Sequence, residues 1–396
     1  MTTERTYLDY NATAPVRPAV MEAMARALAL TGNPSSVHSE GRTVRRLVEE
    51  AREKVAALVG ARPQNVIFTS GGSEANNTAL TPTLGCCGRE EPLALCLVGA
   101  TEHPSVLEGA RFPAHRVERV PVDRQGLADL SWLERRLSRL ADERPGGRAL
   151  VSLQFANNET GVVQPVSEAV RLVHARDGMV HTDAVQAAGK IPIDVAGLGA
   201  DLMTLSAHKF GGPQGVGALV LGHEAIEIRE RLVRGGGQQR GYRAGTENVA
   251  GIVGFGVAAS LALDEIEDYS ARIGALRDRL QDEVRRIAPD AVIFGAGVDR
   301  LPNTLAFAVP GLRAETLLMA LDLEGVAVSS GSACSSGKVR RSHVLDAMGV
   351  ARDVAEGALR VSLGWASEEA DVTRFATAFA KVAGALISRR AGRQAA

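Results

Sequence analysis

One lysine stands where an amine could act as a nucleophile. Lys209 follows an apolar run and precedes a glycine-rich stretch in the segment SAHKFGGPQGVGALV. A lysine that leaves a core strand in such surroundings loses solvation, which lowers its pKa and makes the amine nucleophilic. A lone lysine is more often a surface residue with a solvated head. Ser206 and His208 lie beside it and would suit a phosphate next to an imine-forming lysine.

A second segment has the pattern of an anion site. In VIFTSGGSEANNTAL a strand is predicted to end at Ser70, two glycines turn the chain, and a helix opens at Ser73. Free backbone N–H groups and the positive end of the helix dipole then converge on one point, as a phosphate requires. The segment contains neither GK[ST] nor GxGxxG. Similar glycine turns occur in α/β proteins that bind no phosphate, so both interpretations stay open.

A carboxylate completes a possible cofactor site. Asp183 follows a short strand in MVHTDAVQ, where sites of parallel sheets lie. It could hold a pyridinium nitrogen in its protonated form, or it could cap a helix. Phosphate donors, an imine-forming lysine and this aspartate are the three protein parts that pyridoxal phosphate needs.

One thiol stands apart from the other cysteines. Cys334 lies within SSGSACSSGK, residues 329 to 338, without apolar neighbours or a second metal ligand at short spacing. The remaining cysteines, Cys86, Cys87 and Cys96, form no CxxC pair, and adjacent cysteines are poor disulfide partners. We therefore expect free thiols in a reducing cytoplasm and no metal in the cofactor site.

Composition excludes several classes of protein. The 396 residues are 45% hydrophobic and 23% charged, as in a globular protein. A net charge of −1 argues against a nucleic-acid surface. The start MTTERTYLDY shows no secretory signal, and no run approaches the ~18 apolar residues of a membrane span.

The order of predicted elements gives the fold class. Short apolar runs such as VIFTS, LALCLV and ALVSLQFA alternate with helical segments, which predicts an α/β fold with a largely parallel sheet. A long helical stretch from about residue 249 breaks this rhythm. We predict a large domain over 16–260 and a smaller α+β domain made of 1–15 and 261–396.

The chain resembles the NifS/IscS-like cysteine desulfurases, which are class V, fold-type I pyridoxal-phosphate enzymes. The resemblance runs nearly end to end through YLDYNATAPV, GNPSSVHSEGR, SGGSEANN, TEHPSVL, NNETGVVQP, HTDAVQ, SAHKFGGPQGVGAL, RGGGQQRGYRAGTENV, SSGSACSSG and LRVSLG. It implies a large domain with a mainly parallel sheet of the seven-stranded type, and a smaller domain that carries the cysteine loop.

The resemblance also implies roles for individual residues. Lys209 would bond covalently to pyridoxal phosphate, Asp183 would pair with its pyridinium nitrogen, and His103 would stack on its ring and assist proton transfer. Further cofactor contacts would come from Gly72, Ser73, Asn158, Gln186, Ser206 and His208. In this scheme Gln186 donates to the phenolate oxygen, and Asn158 lies near the cofactor or the substrate carboxylate.

Two further segments carry the remaining roles, one through an arginine and the other through a threonine. Arg360, in ALRVSLG, would clamp the substrate carboxylate, although without the resemblance it would pass for a surface charge. Thr246, in RAGTEN, would reach the phosphate of a neighbouring subunit, so a homodimer is implied. One departure is Gln239, where the family pattern predicts glutamate, and we expect it to change local hydrogen bonds or dimer contacts.

The implied activity is the removal of sulfur from L-cysteine to give L-alanine and a persulfide on Cys334. The sulfur would pass to an iron–sulfur scaffold or another acceptor, and the flexible serine and glycine residues around Cys334 would let the loop travel. A selenocysteine lyase or an aminotransferase of the same fold is the alternative within enzymes. A non-enzymatic scaffold protein is disfavoured because it would not need Lys209, Asp183 and His103 together.

Overall fold

The structure is a computed structural model that describes residues 5–86, 88, 91–330 and 341–394, with side chains up to residue 387. Cys334 and the loop around it lie outside these residues, as does Cys87.

Strands and helices alternate through the first two thirds of the chain. The strands are β1 (Thr6–Tyr7), β2 (Val66–Thr69), β3 (Leu84–Cys86), β4 (Leu95–Gly99), β5 (Val117–Val120), β6 (Ala149–Ser152), β7 (Met179–Asp183), β8 (Leu202–Ser206), β9 (Gly217–Leu221), β10 (Ile226–Ile228), β11 (Val292–Ile293), β12 (Thr304–Ala308), β13 (Val326–Ala327) and β14 (Ala358–Ser362). The helices are α1 (Pro18–Leu28), α2 (Ser39–Leu58), α3 (Gly72–Ala79), α4 (Pro104–Leu107), α5 (Leu130–Glu143), α6 (Val166–His174), α7 (Val195–Leu198), α8 (Val249–Asp264), α9 (Ile266–Ile287), α10 (Ala314–Leu323), α11 (His343–Ala347), α12 (Arg352–Ala355) and α13 (Glu369–Gln394).

The main sheet has seven strands in the order β2-β9-β8-β7-β6-β4-β5. The strands from β8 to β5 are parallel, which confirms the predicted α/β class. Strand β9 runs antiparallel to both of its neighbours, β8 and β2. Only residues 207–216 connect β8 to β9. This length is too short for the crossover that a parallel neighbour requires, so the chain turns back.

Helices cover both faces of the main sheet. Every residue of β4, β6, β7, β8 and β9 is buried, which explains why these strands are apolar almost throughout instead of alternating. On one face α8 packs against α1 and α2. The carboxyl ends of β6, β7 and β8 therefore emerge together from a rigid, dry core, where a site is expected.

The C-terminal part of the chain builds a second core. Strands β11, β12 and β14 form an antiparallel sheet, and β1 pairs in parallel with β13. Phe307, Phe375 and Phe379 lie at the centre of this core, with the last two rings stacked 5.5 Å apart. The N-terminal arm thus joins the C-terminal core. The proposed division near residue 260 falls inside α8, and it stays a prediction.

The long helical stretch predicted from residue 249 is wrong as a single element. It consists of α8 and α9, which meet at Glu265 with a bend of 74°. The bend lets α8 pack on the main sheet while α9 packs on α13. At the corner, Nη1 of Arg17 donates to both carboxylate oxygens of Glu265 at 2.8 Å. Among the described residues no single helix is long and apolar enough to cross a membrane, and only these two helices together, across their bend, meet that length and composition.

Close packing between α8 and α2 makes a glycine testable. A Cβ at Gly256 would stand 2.6 Å from the Cα of Ala51. We expect Gly256→Ala to lower the free energy of unfolding by about 1–3 kcal/mol in a urea titration, because the helices must separate. Gly384 in α13 is the matched control, since a Cβ there meets nothing within 4 Å. Gly384→Ala should raise stability by about 0.5–1 kcal/mol, and equal effects of the two variants would contradict the packing argument.

Candidate active site

A cavity of about 330 Å³ opens at the carboxyl ends of the central strands. It brings together most of the residues that the sequence singled out. The predicted residues in its wall are Gly72, Ser73, His103, Asn158, Asp183, Gln186, Ser206, His208, Lys209 and Arg360. Because these residues come from elements spread over most of the chain, the cavity depends on the whole fold.

Lys209 lies in the short turn between β8 and β9. Its Nζ donates to the backbone carbonyl oxygens of Asn11 at 2.7 Å and Ala12 at 2.9 Å. The N-terminal arm thus holds the amine at the cavity wall. Asn11 and Ala12 belong to the segment YLDYNATAPV, which carried part of the resemblance, but neither was predicted as a site residue.

Asp183 ends β7, and each oxygen of its carboxylate accepts one hydrogen bond. Oδ2 accepts a hydrogen bond from Nδ2 of Asn76 at 2.8 Å, and Oδ1 accepts from the backbone N–H of Val185 at 2.9 Å. Nδ2 of Asn76 also donates to Oγ of Ser105 at 2.9 Å. These bonds fix the orientation of the carboxylate. Asn76 was missed at the sequence level, although it lies within SGGSEANN and one helical turn beyond Gly72.

His103 precedes α4 and caps it. Its Nδ1 accepts from the backbone N–H of Ser105 at 3.1 Å, so the neutral ring carries its proton on Nε2. Burial lowers the pKa of His103, and the nearby charges of Lys209 and His343 lower it further, while Asp183 opposes them. The imidazole is therefore uncharged at neutral pH, the state in which it can lie against an aromatic ring.

One end of the cavity fits a phosphate. Helix α3 begins at Gly72, where a Cβ would stand 2.9 Å from Cγ2 of Val185 and fill the wall. Ser73 and Ser206 line the same cavity, as does His208. The free N–H groups of the first helical turn, together with these hydroxyl groups, form an anion-binding donor set. With Lys209 and Asp183, that set matches the parts that pyridoxal phosphate requires.

His208 is held without charge beside this donor set. Its Nδ1 lies 3.1 Å from Oγ1 of Thr13. Burial, followed by the charges of Lys209 and Lys190, lowers the pKa of His208 to about 4. At neutral pH the ring therefore contributes as a hydrogen-bonding group and not as a cation.

Arg360 is an interior residue and not the surface charge that its sequence context alone suggested. It lies in β14 with only 3% of its surface exposed. Nη2 donates to Oδ1 of Asp9 at 2.7 Å, and Nη1 donates to the carbonyl oxygen of Asn158 at 3.0 Å. Its Nε finds no hydrogen-bond partner among the described residues. A buried donor at the cavity wall fits a ligand carboxylate.

The remaining predicted residues are Thr246, Cys334 and Gln239. Thr246 is exposed and lies outside the cavity wall, while Cys334 falls outside the described residues. Gln239 is buried near β2, where its Oε1 accepts from Nη1 of Arg52 at 3.0 Å and from the N–H of Phe68 at 2.9 Å. Gln239 therefore takes part in local hydrogen bonds, and its effect relative to the expected glutamate stays a prediction.

A buried acid behind the cavity was not among the residues predicted from the sequence. Glu102 is wholly buried, and its Oε1 accepts from the backbone N–H of Gln154 at 2.5 Å. Burial raises the pKa of Glu102 well above its usual range, and the charge of Asp183 adds to the effect. Of these two acids, Asp183 is the one in the cavity wall. The position of Glu102 next to His103 in TEHPSVL was the available signal.

The fold and this cavity together define an α/β enzyme that combines a lysine, an aspartate and a set of anion-binding donors at its strand ends. The chain belongs to the class-V aminotransferase family, whose model matches residues 6–375. It is 42% identical over 377 residues to the cysteine desulfurase IscS of Dictyoglomus turgidum, covering 92% of this chain and 91% of that relative. The resemblance to NifS- and IscS-like proteins is thereby confirmed.

Solved structures agree with the family. A NifS-like protein from Rickettsia africae has a TM-score of 0.84 and 33% identity, covering 96% of this chain and 100% of that one. SspA, solved in complex with cysteine, has a TM-score of 0.75 and 29% identity, covering 90% of this chain and 98% of that one.

A buried histidine beneath the cavity makes stability depend on pH. His181 in β7 is wholly buried between Oγ of Ser152 and Oγ1 of Thr204, and burial lowers its pKa to about 4. The unfolded chain therefore binds the proton first as pH falls, so this stability is complete above the unfolded pKa of about 6.5 and declines toward pH 4. The loss attributable to His181 should reach about 2 kcal/mol between pH 7 and pH 5.

We expect His181→Asn to flatten that pH dependence by about the same amount, measured as unfolding free energies in urea at both pH values. His115 is exposed, so His115→Asn serves as the control and should leave the pH dependence unchanged. A His181→Asn variant with the wild-type dependence would contradict the assignment.

Proposed function

We propose that this chain is a pyridoxal-phosphate-dependent cysteine desulfurase that transfers the sulfur of L-cysteine to Cys334 and releases L-alanine. The observation that carries the proposal is the meeting of Lys209, Asp183 and Arg360 in one cavity. A cofactor lysine, a carboxylate for the pyridinium and a clamp for the substrate carboxylate are the groups that an amino-acid substrate requires. The relatives from Dictyoglomus turgidum and Cereibacter sphaeroides are both named cysteine desulfurases.

The cavity supplies one partner for each polar part of the cofactor. Lys209 would hold its aldehyde carbon, Asp183 its ring nitrogen, and the first turn of α3 with Ser206 its phosphate. When bound, pyridoxal phosphate supplies an electron sink for the bonds at the substrate α-carbon. The hydrogen bonds from Asn76 and Val185 keep Asp183 aimed at one position, so the carboxylate needs no rearrangement during the reaction.

Arg360 and Asn158 would orient the amino acid. The Nε of Arg360 is a buried donor without a partner among the described residues, and a substrate carboxylate would satisfy it. The ion pair with Asp9 and the bond to the carbonyl oxygen of Asn158 fix the guanidinium plane. A fixed plane selects for a carboxylate at a defined distance from Lys209.

Lys209 and His103 would hold and move the α-proton. Both side chains line the cavity, and His103 is uncharged at neutral pH because burial lowers its pKa. An uncharged imidazole can accept a proton at Nδ1 once the bond from the backbone N–H of Ser105 is released, whereas an imidazolium could not accept one. Asp183 lies close enough to favour the charged ring once the proton arrives.

The sulfur step balances without an oxidant. The thiolate of Cys334 attacks the sulfur of the substrate and forms an S–S bond as the C–S bond breaks. The electron pair of that bond stays on the substrate carbon, which takes up a proton and becomes the methyl group of alanine. One enzyme thiol and one cysteine thus give one persulfide and one alanine.

We extend the proposal to assembly and location. Thr246 would contact the phosphate of a neighbouring subunit in a homodimer, and its exposure outside the cavity supports this. The persulfide would pass to an iron–sulfur scaffold or another sulfur acceptor. Free thiols suit the cytoplasm.

The decisive experiment measures the visible absorption of the bound cofactor and the formation of alanine. Purified protein given pyridoxal phosphate should show a visible absorption band and convert L-cysteine to alanine, quantified by mass spectrometry. Cys334→Ala should keep the band and lose at least about 100-fold of the alanine-forming rate, since its nucleophile is gone. Cys86→Ala is the matched control and should retain the rate. A Cys334→Ala variant that still forms alanine at the full rate would refute sulfur transfer to Cys334, and comparison with selenocysteine would separate a lyase.

A second test addresses the carboxylate clamp. We expect Arg360→Lys to raise the KM for cysteine about 10- to 100-fold, because one ammonium group cannot replace a planar fork. The cofactor band should persist. Arg26 is exposed, so Arg26→Lys should change neither quantity. An unchanged KM in Arg360→Lys would refute this role.

A further inference from the structure

Lys190 is a buried lysine for which the proposed reaction has no use. Only 2% of its surface is exposed, and it is among the largest fully buried side chains described. Its Nζ donates to Oδ1 of Asn11 at 2.9 Å and to Oε1 of Gln186 at 2.8 Å. Both acceptors are neutral amides. Within the described part of the chain, no carboxylate forms an ion pair with Lys190.

Such a lysine costs stability. An ammonium group without a counter-charge in a protein interior is strongly disfavoured. Burial lowers the pKa of Lys190 well below its usual value, and the charges of Lys209 and Arg360 lower it further. An apolar side chain would fill the same space without this penalty. The amine must therefore be retained for what its N–H groups do.

One N–H group orients the amide of Gln186. Lys190 donates to Oε1, so the Nε2 group of Gln186 must turn the other way. There Nε2 donates to the backbone carbonyl oxygen of Asn11 at 3.0 Å. Both neighbours demand the same orientation, because a carbonyl oxygen only accepts. One N–H of Nε2 remains available, and Gln186 lines the cavity.

The other N–H group holds Asn11. Its Oδ1 accepts from Lys190 and also from Nδ2 of Asn303 at 2.9 Å. The backbone carbonyl oxygen of Asn11 accepts a hydrogen bond from Nζ of Lys209 at 2.7 Å. Lys190 thus touches no ligand-facing surface, but it contacts the two residues that border Lys209 and the cavity.

We propose that Lys190 is a positioning residue of the active site, which turns the amide of Gln186 so that Nε2 donates into the cavity and which fixes Asn11 against Lys209. The inference rests on the proposed function, in which Gln186 donates to the phenolate oxygen of pyridoxal phosphate. Lys190 acts through Gln186 and Asn11 and contacts neither substrate nor cofactor.

The test uses the full-length holoenzyme and the pH titration of its visible absorption band. A donor to the phenolate oxygen stabilises the ionised form, so its loss raises the midpoint of that titration. Lys190→Met and Gln186→Ala should each raise the midpoint. The double variant should shift it by clearly less than the sum of the single shifts, because both remove the same hydrogen bond.

Kinetics give a second readout. Lys190→Met should lower kcat about 10- to 100-fold, as is usual for residues that support a ligand-binding group from behind. The KM for cysteine should stay within about twofold, since Lys190 does not line the cavity. Lys54 is exposed, so Lys54→Met makes the same chemical change at the surface and should alter neither the midpoint nor kcat.

Further variants separate positioning from folding. Leu321→Ala weakens the C-terminal core from α10, a helix that contributes no residue to the cavity wall, and should lower the unfolding temperature without moving the midpoint. If Lys190→Met does not fold, Lys190→Gln keeps one amide donor, and its midpoint should lie between those of the wild type and Gln186→Ala.

The outcomes distinguish two kinds of failure. An unchanged midpoint in the folded Lys190 variant, or additive shifts in the double variant, overturns the positioning role. A wild-type protein that stays colourless with added pyridoxal phosphate overturns the proposed function itself.

Discussion

The hydrogen bonds of Asn11 join the two halves of the chain at the cavity. On one side its backbone N–H and Nδ2 donate to Oγ of Ser362 and Oγ1 of Thr304, which belong to the C-terminal sheet. On the other side its oxygens accept hydrogen bonds from Gln186, Lys190 and Lys209, which follow strands of the main sheet. The side chain is buried with its polar atoms engaged, and a buried amide bonded in this way specifies one arrangement of its neighbours. Asn11 thus bonds to both halves of the chain at the place where they meet beside the cavity.

Burial, more than charge pairing, sets the protonation states around the cavity. Glu102, His181, His208 and Lys190 all have pKa values displaced toward the neutral form, and burial is the largest cause in each case. Fewer charged groups therefore surround the cavity than the number of its titratable side chains suggests. In a dry site a charge acts over a longer range than it would in water, and neutral neighbours do not offset its attraction for a ligand. The local electrostatics thus follow from packing.

Local patterns in the sequence were sufficient for the fold class and for the groups at the strand ends. The chain alternates apolar runs with helices, and the carboxyl ends of parallel strands lie at one edge of a sheet. The sequence therefore predicts that Asp183 and Lys209 lie near each other. Lys190 and Asn11 could not, because their contact joins positions 179 residues apart and leaves no local signature. The break at Glu265 was missed because both flanking helices have continuous helical periodicity. Helix α4 ends at Leu107 after a single turn, because the backbone of Gly109 is left-handed, with φ of 68°.

The reversed strand β9 has a consequence for the lysine that precedes it. Residues 207–216 span the gap between two adjacent, fully buried strands, and both strand ends are fixed by ladder hydrogen bonds. The backbone of Lys209 is therefore held within a short connection whose two ends are fixed in the sheet. The entropy of confining this amine was already lost when the sheet folded, so it is not lost again when a ligand arrives. What freedom the amine keeps is rotational, within its own side chain.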